Sequence, residues 1–219
     1  MPPSATYVPL ELLVENVLPN FKYQVQFKSG ELEKAIATKD QIRQFLICMF
    51  GGRTEDGKYA FDPTKGVLLE NLMQLKAPPY VSTEEISYYT DRIAQHGIHA
   101  PRKSTKMLLF LIFSFICTFS RIWIMLPIVN WYRTLEINQK DELAIINRKI
   151  SVPVLFIQAL KDLSLPPQLA EGMGEVIPQL TIEKIDTGHW ALREDPETIN
   201  RIISGWLANI GAETGPTCP

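Results

Sequence analysis

Asp186-Thr187-Gly188-His189-Trp190 is the stretch on which the reading of this chain turns. It puts one histidine in a glycine turn, downstream of Val154-Leu155-Phe156-Ile157 and of Lys161-Asp162. An apolar β-branched run, an acid in a proline-rich loop, a helix, a second strand and then Gly-His is an order in which an α/β sheet delivers a carboxylate and an imidazole from successive strand ends. The pattern predicts a buried strand from Val152 to Ile157, a helix from Pro167 to Val176 and an alternating strand from Leu180 to Ile185. A helix follows from Glu197 to Ile210, with Ile199, Ile202, Ile203, Trp206 and Leu207 on one face. Taken singly, Asp162 has the alternative of a solvated loop residue or helix cap, and His189 that of an ordinary turn residue. In this order they read as an acid that steers a base, and their side chains are expected within hydrogen-bond reach, about 2.6–3.2 Å.

Composition narrows what such a pair can serve. The 219 residues suffice for one ordinary domain with its own core. A formal charge of −2 offers no basic field, which argues against DNA or RNA as a partner. Cys48, Cys117 and Cys218 are odd in number, far apart and without a Cys-x-x-Cys pair, so neither zinc nor a disulfide framework is suggested. A reducing, cytoplasmic setting is the expectation, and Met1-Pro2-Pro3-Ser4 lacks the regions of a signal peptide. His96 and His99 read as exposed helix-end residues beside Gly97, not as metal ligands, and no metal or organic cofactor is expected.

The first 150 residues read as a helical region and residues 151–219 as the α/β part. Leu10 to Val17 has helical spacing after Pro9, and Phe21 to Phe27 alternates like a short extended segment that Ser29-Gly30 breaks. From Glu31 to Phe50 the apolar positions suggest one or two helices jointed at Thr38-Lys39-Asp40 and ended by Gly51-Gly52. Arg53 to Lys65 reads as a surface loop and Asn71 to Pro79 as a further connection. Ser82-Thr83-Glu84-Glu85 opens a helix that should run to Gly97, with Ser82 as its cap. After Asn130 a polar-rich helical segment extends to Lys149, with Leu135, Leu143, Ile145 and Ile146 as core contacts.

Residues 107–126 do not match their surroundings. Behind Lys103 and Lys106 they are almost wholly apolar, and about 20 such residues cross a bilayer core. Arg121 weighs against a span, since a charge at its centre costs about 2.5–3.5 kcal/mol on insertion scales. A helix buried on every face needs more surrounding protein than this chain provides, so the segment reads as an apolar helix-like insertion.

Several motifs carry a resemblance. Phe21-x-Tyr23-Gln24, Asn130-Trp131-Tyr132-Arg133, Pro153 to Phe156 with Lys161-Asp162 and Pro166-Pro167, and Gly188-His189-Trp190-Ala191 with Glu194-x-Pro196 are similar to the C-terminal half of an α/β-hydrolase-fold epoxide hydrolase. The likeness covers the chain outside residues 102–129 and the termini. It implies an α/β-hydrolase C-terminal part with a helical lid, acting on a small-molecule epoxide. In that family two lid tyrosines hold the epoxide oxygen while an aspartate attacks a ring carbon, and a histidine steered by an acid activates water to hydrolyse the ester. By position Tyr23 and Tyr132 resemble the tyrosines, Asp162 the acid and His189 the base, with Phe21, Gln24, Trp131 and Trp190 lining the substrate. Without the resemblance, Tyr23 reads as a half-buried strand residue and Tyr132 as helix packing.

The departures are equally specific. No His-Gly-x-Pro and no Gly-x-Asp-x-Gly or Gly-x-Ser-x-Gly elbow occurs, so the nucleophile is absent and the chain reads as an incomplete hydrolase, inactive alone. The alternatives are another lidded hydrolase, such as a dehalogenase or esterase, and a non-catalytic protein anchored in a membrane through residues 107–126. Residues 102–129 interrupt a motif in which the family has Gly-x-x-x-Pro-Leu-Asn-Trp-Tyr-Arg, and Gly97 to Pro101 and Asn130 to Arg133 are its two ends. Arg102-Lys103-Ser104 can be encoded with a donor-like GTAAGT, and Ile128-Val129 with an acceptor AG whose joining restores a leucine codon. The hypothesis is a translated intron. Sequencing the transcript and gene across residues 97–133 should show CGT at Arg102 and a spliced form running Pro101-Leu-Asn130; any other Arg102 codon rejects it.

Overall fold

The computed structural model describes residues 6–96, 132–146 and 148–213, divided between two compact units. One unit spans Pro9–Leu135; the other holds Glu136–Pro219 with Met1–Val8.

The Pro9–Leu135 unit is built mainly of short helices. α1 (Leu10–Asn16) starts from the Pro9 carbonyl, which accepts the Leu13 amide at 3.0 Å, and it buries Leu10 and Val14. After a 3-10 turn at Pro19–Phe21 comes α2 (Tyr23–Ser29), where alternation had predicted an extended segment. Tertiary contact overrides the local pattern here. Four-residue spacing puts Tyr23 and Phe27 on one face with their rings edge to face at 5.4 Å, and Phe27 is fully buried. Gln26 meets the main chain of Val67 twice, accepting from its amide at 2.7 Å and donating to its carbonyl at 3.1 Å. Gly30, at φ 84°, turns the chain from α2 into α3 (Glu31–Ala35).

α4 (Lys39–Met49) begins at the joint foreseen in the sequence. Thr38 caps it, accepting the Gln41 amide at 3.3 Å, while the Gln41 side chain accepts the Thr38 amide at 2.9 Å. The stretch Arg53 to Lys65, read as a plain loop, contains β1 (Phe61–Asp62), which forms a hairpin of two-residue strands with the antiparallel β2 (Gly66–Val67) just beyond it, and α5 (Leu69–Leu72) overlaps the start of the expected connection. α6 (Thr83–His96) starts where Ser82 accepts the Glu85 amide at 3.1 Å. α4 and α6 pack together, burying Ile42, Phe45, Leu46, Ile47 and Cys48 with Ile86, Thr90 and Ile93. Burial pushes the Cys48 thiol up to about 12, so it serves as a small apolar core residue.

In the other unit, α7 (Leu135–Glu142) runs into a 3-10 turn at Leu143–Ile145. Leu143 and Ile145, expected in the core, are 42 and 50% exposed. Their polar neighbours leave too few apolar positions for a continuous stripe. β3 (Val154–Ala159) and β4 (Leu180–Ile185) pair in parallel, Val154 opposite Leu180 and Ala159 opposite Ile185. Among the described residues this sheet has only those two strands, so β3, read as buried, is largely half-buried. The crossover is a 3-10 turn at Pro167–Ala170 and a short α8 (Met173–Val176), split by Gly172 at φ 80° where the sequence suggested one helix. Gln158 donates to the Pro167 carbonyl at 2.9 Å and ties the crossover to the sheet.

α9 (Ala191–Glu194) is a single turn, and α10 (Pro196–Glu213) follows it. Ile199 is buried and the Trp206 indole donates to Thr181 at 3.2 Å, whereas Leu207 points outward at 56% exposure. The apolar stretch 107–126, all of residues 102–129, His99 and Trp131 lie outside the described residues. Among those described, no helix is long and apolar enough to cross a membrane.

Phe27→Ala should cost about 3–5 kcal/mol, the range for emptying a fully buried aromatic site. Leu12→Ala, at a position 51% exposed, should stay within about 0.5 kcal/mol. Urea denaturation of the two variants checks both.

Candidate active site

Parallel pairing brings the acid and histidine loops side by side. Beyond the last paired residues of β3 and β4 the ladder continues, with the Leu160 amide donating to the Ile185 carbonyl at 2.9 Å and the Lys161 amide to the Thr187 carbonyl at 2.9 Å. Lys161 also reaches Asp186 across the two loops at 2.7 Å. Asp162 and His189 therefore leave the same end of the sheet from adjacent strands.

Asp162 is 7% exposed, and its two oxygens divide their work. Oδ1 accepts the amides of Ser164 at 2.9 Å and Leu165 at 3.0 Å, which fixes the carboxylate plane within its own loop. Oδ2 stands 2.8 Å from Nδ1 of His189, inside the expected range. With Nδ1 donating to the carboxylate, Nε2 is the ring nitrogen that can take up a proton. The imidazole is about half exposed at 51%, and the Trp190 ring meets it edge to face at 5.6 Å. The Glu194 carboxylate accepts the amides on either side of this histidine, Gly188 at 2.8 Å and Trp190 at 3.2 Å.

Charge and burial act on the pair in opposite senses. Burial is the largest influence on Asp162 and works against its charge, yet the His189 hydrogen bond and the Leu165 and Ser164 amides hold the carboxyl below its ordinary value. For His189 the hydrogen bond to Asp162 dominates and raises the imidazole above its ordinary value; burial opposes this, and the charges of Asp162 and Glu194 add to it. The result is an imidazole made more basic by the groups around it.

A second group of residues forms within the Pro9–Leu135 unit. The Tyr132 ring lies edge to face against Phe27 at 5.4 Å and against Tyr23 at 5.9 Å. Burial first, and then the neighbouring Tyr23 phenol, push the Tyr132 hydroxyl above the ordinary phenol range. It is therefore a proton donor at any neutral pH. Phe21 stacks on Tyr23 at 6.4 Å, while Gln24 is half-buried on α2 beside it.

Arg133 fixes the turn that bears Tyr132. Its Nε donates to the Lys28 carbonyl at 3.0 Å, and its guanidinium pairs with Glu33, whose side chain is 5% exposed. Arg133 stood in the quoted motif, but nothing in the sequence disclosed its partners at the end of α2 and in α3. Sequence reasoning likewise missed Glu194 as a contact of the histidine loop.

No family model matches the chain. Curated relatives and solved structures do. The epoxide hydrolase srdG of Neurospora crassa is 30% identical over 216 residues, covering 94% of this chain and 55% of the relative. Bifunctional epoxide hydrolase 2 of Rattus norvegicus is 29% identical over 94% of this chain and 33% of its own length. The crystal structures of epoxide hydrolase VrEH1 from Vigna radiata and epoxide hydrolase A from Mycobacterium thermoresistibile superpose with TM-scores of 0.63 and 0.62, at 16 and 21% identity, over 95% of this chain and 59 and 58% of theirs. The chain has the fold of the C-terminal part of an α/β-hydrolase-fold epoxide hydrolase. It spans about half the length of the Neurospora relative and a third of the rat one.

The pair predicts a pH window for stability. Asp162 is held below its ordinary value, so its contribution is present above that value and is lost as falling pH protonates the folded carboxylate. His189 is held above its ordinary value, so its contribution is complete below that value and is lost as rising pH deprotonates the folded imidazole. The stability difference between the unmodified chain and His189→Gln should be largest between about pH 4 and pH 6.5, the ordinary values of the two groups, and shrink on either side. Urea denaturation across that range checks it.

Proposed function

We propose that this protein is an epoxide hydrolase-type α/β hydrolase, converting a small-molecule epoxide and water to a diol. The observation that carries the reading is the pairing of two phenols, Tyr23 and Tyr132, whose rings lie edge to face at 5.9 Å, in a chain that also holds the Asp162–His189 pair. An acid–histidine pair alone serves many hydrolases, whereas two donors set together suit a reaction that generates an alkoxide.

In this reading each group has one task. Tyr23 and Tyr132 donate to the epoxide oxygen as the ring C–O bond breaks, and one phenol passes its proton to the alkoxide. The attacking carboxylate, for which the 219 residues hold no matching motif, is left as an ester of the opened substrate. Water attacks that ester while Nε2 of His189 takes the water proton, and Asp162 keeps Nδ1 protonated and stabilises the imidazolium. By the resemblance, Phe21, Gln24, Trp131 and Trp190 are the residues proposed to bind the substrate. A dehalogenase or esterase makes no epoxide alkoxide and has no use for the two phenols.

Residues 102–129 have no part in this chemistry. Membrane attachment through 107–126 is a separate proposal, tested by whether the chain sediments with lipid vesicles.

The unmodified chain should form no diol, because water activated at His189 needs an ester that another group must first make. Removing residues 102–129, inserting Leu and joining the chain to an upstream half bearing an aspartate nucleophile should produce turnover. In that enzyme His189→Gln should stop at the covalent ester, visible by mass spectrometry, whereas replacing Tyr23 and Tyr132 together by Phe should prevent the ester from forming. Single Tyr→Phe variants should be slower but active. Diol formation at full rate by the unmodified chain, or a restored enzyme that cleaves esters but no epoxide, overturns the reading.

A further inference from the structure

We infer that Glu194 is the positioning residue of the histidine loop: its carboxylate brackets His189 by both flanking amides and sets a second negative charge beside the imidazole. The inference rests on the reading of His189 as a base. Gly188 precedes the histidine and Trp190 follows it, and each donates its amide to a different oxygen of the one carboxylate, at 2.8 Å to Oε2 and 3.2 Å to Oε1. Hydrogen bonds to an ionised acceptor are about twice as strong as neutral ones, so the segment carrying His189 is fastened on both sides of that residue.

The local fold is shaped to place this carboxylate. The amides of Arg193 and Glu194 both donate to the Trp190 carbonyl, at 2.7 and 3.0 Å, which closes the single turn α9 and returns Glu194 to the start of the loop. A Cβ at position 188 would stand 3.0 Å from Glu194 Oε1, tighter than an ordinary contact, so with any other residue there the carboxylate would have to shift by a few tenths of an ångström. Pro196 opens α10 directly after and commits the chain to leave the loop in one direction.

The geometry divides the orientation of the ring between two carboxylates. Asp162, from the loop after β3, fixes the imidazole at Nδ1, and Glu194, from α9, fixes the backbone from which the imidazole springs. The other charges on the two loops, Lys161 and Asp186, are paired with each other at 2.7 Å, and Arg193 precedes Glu194 on α9. The charge of Glu194 acts on His189 in the same sense as that of Asp162, favouring the protonated ring that forms when water gives up its proton. Glu194 touches no reacting atom, and its effect passes entirely through His189.

The test is an NMR titration of the 219-residue chain labelled with 13C at histidine Cε1, in which the His189 signal is the one missing from His189→Gln. Glu194→Gln keeps the size of the side chain and removes its charge and one of its two acceptors. The His189 midpoint should fall, and the Gly188 and Trp190 amides should exchange with deuterium faster, at an unchanged circular dichroism spectrum. Glu194→Asp, which keeps the charge, should restore part of the midpoint; Asp162→Asn is measured beside them. A midpoint lowered by Asp162→Asn but unmoved by Glu194→Gln overturns the Glu194 assignment and leaves the acid–base pair standing. If neither variant moves it, both fall.

Discussion

The parallel pairing of Val154–Ala159 with Leu180–Ile185 is the constraint on which the candidate active site depends. Main-chain hydrogen bonds continue past the strands, from Leu160 to Ile185 and from Lys161 to Thr187, so the two loops are still in register where their functional side chains begin. Burying the Asp162 carboxylate opposes its charge, and that cost is offset only because both of its oxygens are occupied, one by two amides and the other by His189. Slippage of one strand by a single residue would turn the side chains to opposite faces and separate the pair.

The phenol pair obeys a different logic. No sheet aligns Tyr23 and Tyr132, which are far apart in sequence. A buried aromatic floor does, because Phe27 meets both rings edge to face at 5.4 Å. The floor needs α2 to be a helix, since only four-residue spacing stacks Phe27 under Tyr23. Arg133 then ties the Tyr132 turn to the Lys28 carbonyl and to Glu33, so a salt bridge with a nearly buried carboxylate closes the aromatic cluster.

Both groups have a polar side chain whose value lies in geometry. Arg133 and Glu194 each hold backbone or a neighbouring helix in place, and through it the residue beside them. A pair such as Asp162–His189 can be recognised from residue types and order, whereas a supporting contact is defined by where a long side chain ends, and that depends on the packing of everything between.

The sequence alone determined the order of strands, the loops on which Asp162 and His189 sit, the joint at which α4 starts, the capped start of α6, and the tyrosine-bearing motifs. These are local or strictly ordered features, set by hydrophobic period, capping chemistry and turn residues. Tertiary structure decided the rest. It made Phe21 to Phe27 helical apart from its first residues, because Phe27 and Gln26 had partners in the core and the hairpin that alternation could not reveal. It left Leu143, Ile145 and Leu207 at the surface, although each is apolar and at plausible spacing, because burial needs a facing surface as well as an apolar side chain. It gave Glu194 and Arg133 their partners, since the reach of a long charged side chain is fixed by the fold around it, and spacing along the chain carries no record of that fold.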